Sequence, residues 1–155
     1  MDLLVKLYAL PPGPDPLPPG IILRRALAPE APAILPWIVA RFGEGWRAEA
    51  SAALSACPTR IHIAHDDAGT LLGFACHDVT ARGLFGPTGV DEGARGTGLG
   101  KALLLASLRA MAADGYAYAV IGGAGPVEFY QKAVGAIPIA GSEPGLYRGM
   151  LRAPV

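Results

Sequence analysis

The sequence predicts an α/β fold: a mixed central β-sheet flanked by helices, with an extra strand at the N-terminus. Three observations carry this prediction. After a leading strand, strand-like and helix-like apolar patterns follow in the order β, αα, βββ, α, β, α, β, β. A glycine-rich segment, Val90 to Lys101, joins an apolar strand directly to an apolar helix. That helix, Leu99 to Ala112, is apolar at nearly every position apart from Lys101, Ser107 and Arg109, the pattern of a helix buried against a sheet.

Asp2 to Ala9 suits a first strand at an edge of the sheet, and the prolines between Leu10 and Gly20 make a stiff, extended connector. Ile21 to Ala26 reads as the second strand. Pro29 to Trp46 and Arg47 to Ala56 alternate apolar and charged residues at helical spacing, as two helices broken near Gly43-Glu44-Gly45. Arg60 to Ala64 and Leu71 to Val79 flank Asp66-Asp67-Ala68-Gly69, whose turn chemistry marks a β-hairpin. Leu84 to Val90 then feeds the glycine-rich turn. Gly115 ends the long helix, Tyr116 to Ile121 reads as a strand and Gly122 to Gly125 as a turn. Pro126 to Ala133 is a short helix with proline in its first turn. Ile137 to Ala140 and Leu146 to Leu151 close the chain as short strands around Gly141 to Gly145.

At 155 residues and 52% apolar content the chain suits a single domain, residues 1–155, with a real hydrophobic core. Lys plus Arg balance Asp plus Glu at 13 each, so there is no basic field for nucleic acid or an anionic membrane. A small-molecule partner is expected instead. Met1 to Leu10 lacks the apolar core of a signal peptide, and no run approaches the ~20 apolar residues of a membrane span, which implies a cytoplasmic protein. Cys57 and Cys76 lack CxxC spacing and are expected to be small buried hydrophobes. His62 and His65, three apart on a strand, point to opposite faces, so no metal site is expected.

The glycine-rich turn is built to receive an anion. Glycines at 96, 98 and 100 let the backbone take positive φ and approach a ligand, and the following helix adds unpaired N–H groups at its positive end. Spacing narrows the ligand. A P-loop with Gly100-Lys101 as its GK would need glycine at Arg95 and a hydroxyl at Ala102. A dinucleotide fingerprint starting at Gly96 and Gly98 would need glycine at Lys101. Both fail.

R-x-x-G-x-G does fit, as Arg95, Gly98 and Gly100, after a strand ending in Val90 and before a helix of about four turns. Downstream, the short helix carries Phe129-Tyr130-Gln131-Lys132. In both features, and in order of elements over residues 21 to 151, the chain resembles the GNAT (Gcn5-related N-acetyltransferase) superfamily: an R-x-x-G-x-G acetyl-CoA turn followed at the expected distance by F-Y-x-K. The resemblance implies the GNAT fold and an acetyl-CoA-dependent N-acetyltransferase. Such an enzyme moves an acetyl group to a primary amine of a small molecule or amino acid, by direct attack in a ternary complex. The alternative is a non-catalytic GNAT-fold module that binds CoA as a sensor or scaffold.

The resemblance also assigns roles. N–H groups of Arg95, Gly96, Thr97, Gly98, Leu99, Gly100 and Lys101 would hold the CoA pyrophosphate, with the Arg95 side chain bracing the loop. The pantetheine arm would pair with the exposed backbone of Thr88, Gly89 and Val90, and the Val90 N–H would face the oxyanion. Gly86 and Gly89 suit a bulge or a close backbone approach. Tyr130 would be the general acid for the CoA thiolate. Glu92 is a candidate base, beside Glu44, His77, Asp78 or a water relay. Phe42, Glu44 and Trp46 fall where the family places acceptor-binding residues, and an aromatic pair with one carboxylate suits a cationic amine. Apolar surface on the last strands would suit a homodimer, common in the family.

The chain also departs from the family's pattern. Gly123 and Pro126 stand where asparagine and alanine are usual, so the Gly122 to Gly125 amides would have to replace a lost side-chain hydrogen bond. Gly135, followed by Ala136, comes one residue late after Tyr130, which shifts the turn behind the last helix.

Overall fold

The computed structural model describes residues 1–154. Its strands are β1 (Leu3–Lys6), β2 (Ile21–Arg25), β3 (Ile61–Asp66), β4 (Leu71–His77), β5 (Leu84–Val90), β6 (Tyr118–Ile121) and β7 (Ile137–Pro138). The helices are α1 (Ala31–Phe42), α2 (Glu44–Leu54), α3 (Leu99–Ala113) and α4 (Val127–Val134). The break between α1 and α2 falls at Gly43, whose φ of 91° suits only glycine. Trp46 therefore belongs to the first turn of α2.

The seven strands form one sheet in the order β2-β3-β4-β5-β6-β1-β7. All neighbours are antiparallel except β5 and β6, which α3 links as a parallel crossover. β1 is not the edge strand expected. It lies between β6 and β7, with Leu3 opposite both Ile121 and Pro138, because the returning chain takes the backbone edge that faces away from β6, its Ile139 N–H donating to the Asp2 carbonyl at 2.9 Å. The strand expected at Leu146 to Leu151 does not form. Gly141, Gly145 and Gly149, all at φ above 70°, break the extended run, and the segment makes a 3-10 turn at Gly145–Tyr147.

Each sheet face carries its own core. Leu103, Leu104, Leu108 and Met111 of α3 pack on Leu3, Val5, Ala75 and Phe85. On the other face Ile34 and Ile38 of α1 and Ala53 and Leu54 of α2 meet Ile61, Ile63, Phe74 and Cys76. Cys57, by contrast, is exposed, because it falls in the turn between α2 and β3. Among the described residues no helix is long and apolar enough to cross a membrane.

Candidate active site

β5 and β6 pair only at Leu84 with Val120 and Phe85 with Ile121. Beyond that they part. β5 continues along β4, with Thr88, Gly89 and Val90 opposite Ala75, Phe74 and Gly73, whereas β6 ends and the chain turns away through Gly122 to Gly125. The cause is local. Gly86 and Pro87 together stand opposite the single residue Cys76, and Gly86 has a φ of 118°, a bulge that bends β5 off β6.

The wedge between the strands is a cavity of about 350 Å³. Phe85 to Val90 form one wall and Gly122 to Pro126 the other, with Gly100 and Leu104 of α3, Trp46, Phe129 and Tyr130 closing it. The Asp91 N–H donates to the Leu72 carbonyl at 2.8 Å, so strand alternation turns the Val90 N–H, one residue earlier, toward the unpaired edge. The Val90 carbonyl accepts from Nε of Arg95 at 3.3 Å, which braces the glycine turn against the strand.

In that turn Gly96 and Gly98 have φ of 78° and 86°, and Gly98 is the N-cap of α3. Gly100 differs from expectation: it sits inside the first turn of α3 with ordinary helical backbone, and forms cavity wall instead of a left-handed bend. The first α-helical bond runs from the Ala102 N–H to the Gly98 carbonyl, so the amides of Leu99, Gly100 and Lys101 precede the ladder. Thr97 Oγ1 donates to the Ala94 carbonyl at 2.7 Å. Nζ of Lys101 lies 3.9 Å from Asp15 in the proline-rich connector. Of Arg95 to Lys101 only Gly100 lines this cavity, and Thr97 and Leu99 line a neighbouring hollow. The free amides and positive helix end thus stand beside the open strand edge and fit a phosphate-bearing, amide-bearing arm such as that of CoA.

Tyr130 closes the far side. Its ring is 6% exposed and packs edge-on to Phe85 and Phe129, and burial raises its hydroxyl above the usual tyrosine range. The hydroxyl makes no hydrogen bond among the described residues, and Tyr130 lines the cavity. The amides expected to replace the missing asparagine are partly taken. Gly123 donates to Asp2 Oδ1 at 2.8 Å and Ala124 to the Met1 carbonyl at 3.0 Å.

The remaining site residues scatter. Of Phe42, Glu44 and Trp46 only Trp46 lines the cavity. Phe42 stacks on it, centroids 4.8 Å apart, and packs on Phe74 as core. The Glu44 side chain is exposed beside Arg47. Glu92 opens onto a separate hollow with Arg41 and Arg95. His77 is buried under α3, and Asp78 accepts from Tyr116 Oη and the Gly83 N–H, each at 2.7 Å. Among the described residues no Asp, Glu or His lines the cavity.

One further carboxylate is linked to the cavity wall through Tyr147. Glu49, one turn after Trp46 on α2, accepts from Thr80 Oγ1 and, at 3.0 Å, from Tyr147 Oη. The Tyr147 ring lies 4.0 Å from where a Gly122 Cβ would stand. The i, i+3 spacing from Trp46 is the signal that could have found it.

A family model described as the acetyltransferase (GNAT) family matches residues 31–136. The chain belongs to the GNAT acetyltransferases. Comparison with curated proteins found no match. Among solved structures, a GCN5-related N-acetyltransferase from Sphaerobacter thermophilus aligns at TM-score 0.71 and 22% identity, over 87% of this chain and 46% of that one. A Drosophila protein aligns at 0.69 and 20%, over 89% and 46% respectively. A GCN5-related N-acetyltransferase from Kribbella flavida aligns at 0.56 and 22%, over 88% and 53%. The chain thus spans about half the length of each, and the likeness establishes a GNAT fold with β1 as its N-terminal strand.

Proposed function

We propose that the protein is an acetyl-CoA-dependent N-acetyltransferase that acetylates a primary amine of a small molecule or amino acid by direct attack in a ternary complex. The open β5 edge facing Tyr130 across one cavity carries this reading. Arg95 to Lys101 hold the pyrophosphate of the co-substrate and Thr88 to Val90 hold its pantetheine amides. Acetyl-CoA supplies the thioester acyl group. The Val90 N–H donates to the oxyanion as the amine nitrogen bonds the carbonyl carbon. The acceptor's ammonium loses one proton to water before attack, and Tyr130 gives its phenolic proton to the departing sulfur. The second nitrogen proton, lost as the amide forms, returns through water to the tyrosinate, since among the described residues no carboxylate or imidazole lines the cavity. Glu49 and Trp46, one turn apart on α2, receive the acceptor as its ammonium form by charge and cation–π contact.

The bare wall, with Gly123 and Ala124 already bonded, favours a second reading as a CoA-binding module without efficient transfer. Thiol release from acetyl-CoA across a panel of small amines tests the choice. Amine-dependent release supports the enzyme, whereas calorimetric CoA binding with no release from any amine supports the module. Absence of both overturns the acetyl-CoA reading altogether.

A further inference from the structure

A second cavity, of about 440 Å³, opens near the C-terminal end of α3, away from the glycine turn at its start. With 15 residues in α3, the two helix ends stand roughly 22 Å apart. Arg25 ends β2, Arg60 precedes β3 and Arg82 lies between β4 and β5, and all three line this cavity with Asp78, Asp114 and Tyr116. Asp78 is fully engaged. Oδ1 accepts from Tyr116 and Gly83, and Oδ2 lies 3.4 Å from Arg60, whose guanidinium also donates to the Asp78 carbonyl at 2.8 Å. Arg25 donates to the Thr59 carbonyl. These bonds fix two guanidiniums on the wall, while Arg82 is exposed and has no partner among the described residues.

Behind the wall lies an unmet donor. His77 is fully buried, and neither ring nitrogen has a hydrogen-bond partner among the described residues. Alternation along β4 places it on the α3 face with Ala75, and its backbone N–H donates to the Arg60 carbonyl at 3.0 Å. The charges acting on its ring, Arg25, Asp114, Asp78 and Arg60, all belong to the cavity lining. Three guanidiniums against two carboxylates, one of them saturated, leave a positive hollow.

We infer that this cavity binds a small anion bearing a phosphate or carboxylate group, separately from the β5–β6 cavity. Guanidiniums in a fixed fork pair two oxygens of such a group at once, and Tyr116 marks its edge. Nothing in this inference depends on acyl transfer.

The probes are inorganic phosphate and succinate, titrated by calorimetry at constant ionic strength with chloride as the control. Because the glycine turn is itself an anion cradle, wild type is compared with Arg82→Gln, Arg82→Glu and Arg95→Gln. Saturable binding to wild type and Arg95→Gln, weakened about tenfold or more in both Arg82 variants, supports the site. Phosphate alone, succinate alone or both then defines the ligand's charged group. Equal affinity in wild type and Arg82→Gln, loss in Arg95→Gln alone, or no saturable binding at tens of millimolar overturns it.

Discussion

The ring of Phe42 at the end of α1 lies so close to the backbone of Gly89 in β5 that a Cβ there would stand 2.5 Å from Cζ of the ring. Gly89 meets the tip of the Phe42 ring and Trp46 stacks on its face, so Phe42 bridges β5 and the first turn of α2 beside the cavity. Gly89→Ala is expected to destabilise the fold by about 1–3 kcal/mol through overpacking. Phe42→Leu in the same chain should recover part of the loss. Urea unfolding of the four members of the cycle reads the coupling, and strictly additive changes would contradict the contact.

Tyr130 remains protonated well past neutral pH because burial raises its hydroxyl. Tyr130→Phe is therefore expected to lower kcat by about a hundredfold. CoA affinity should change by no more than about twofold, because the ring keeps its packing on Phe85 and Phe129. Thiol-release kinetics with calorimetry on the same samples separate the two, and an unchanged kcat would remove Tyr130 from proton transfer.

Glu49 accepts a hydrogen bond from Tyr147, whose ring neighbours Gly122 of the cavity wall. Glu49→Gln should raise KM for a cationic acceptor about tenfold, with kcat changed far less, the mark of a ground-state contact. Tyr147→Phe should give a smaller rise, since it only orients the carboxylate. Steady-state kinetics with one amine and its uncharged hydroxyl analogue make the check. An equal KM change for both would exclude charge recognition.

His62 and His77 lie with ring centroids 5.6 Å apart beneath α3, and burial lowers both, to about 4. In the unfolded chain each titrates near ~6.5. Between those values the unfolded state binds more protons than the folded one, so stability is fully present above the higher value and falls as pH drops through the window. The coupled pair contributes on the order of a few kcal/mol. His77→Leu should flatten the curve of Tm against pH between about 7 and 4. Parallel curves for wild type and variant would place the dependence on other groups.

Features set by neighbouring residues are legible in the sequence. β5 keeps its expected bounds, Leu84 to Val90, and α3 starts at Leu99 because Gly98 alone can take the left-handed N-cap there. Tyr130 likewise follows from the short helix that Pro126 opens. Features set by distant pairing are not. The interior place of β1 depends on segments near residues 121 and 138, and nothing within Leu3 to Lys6 names them. Glu49 resembles any acid on a solvated helix face until Tyr147 folds back onto it. Within Phe42, Glu44 and Trp46, Gly43 restarts the helix, and only the last of them turns to the cavity.

The position of β1 sets synthesis and assembly in opposite orders. Leu3 and Val5 leave the ribosome well before both partners of their strand, β6 and β7. The nascent domain therefore carries an apolar strand with two open edges through most of its synthesis, the kind of segment chaperones capture and neighbouring chains invade. Closure of the sheet waits for the long loop from residue 6 to residue 118 to be complete, so a strand made early in this domain is among the last to find its place.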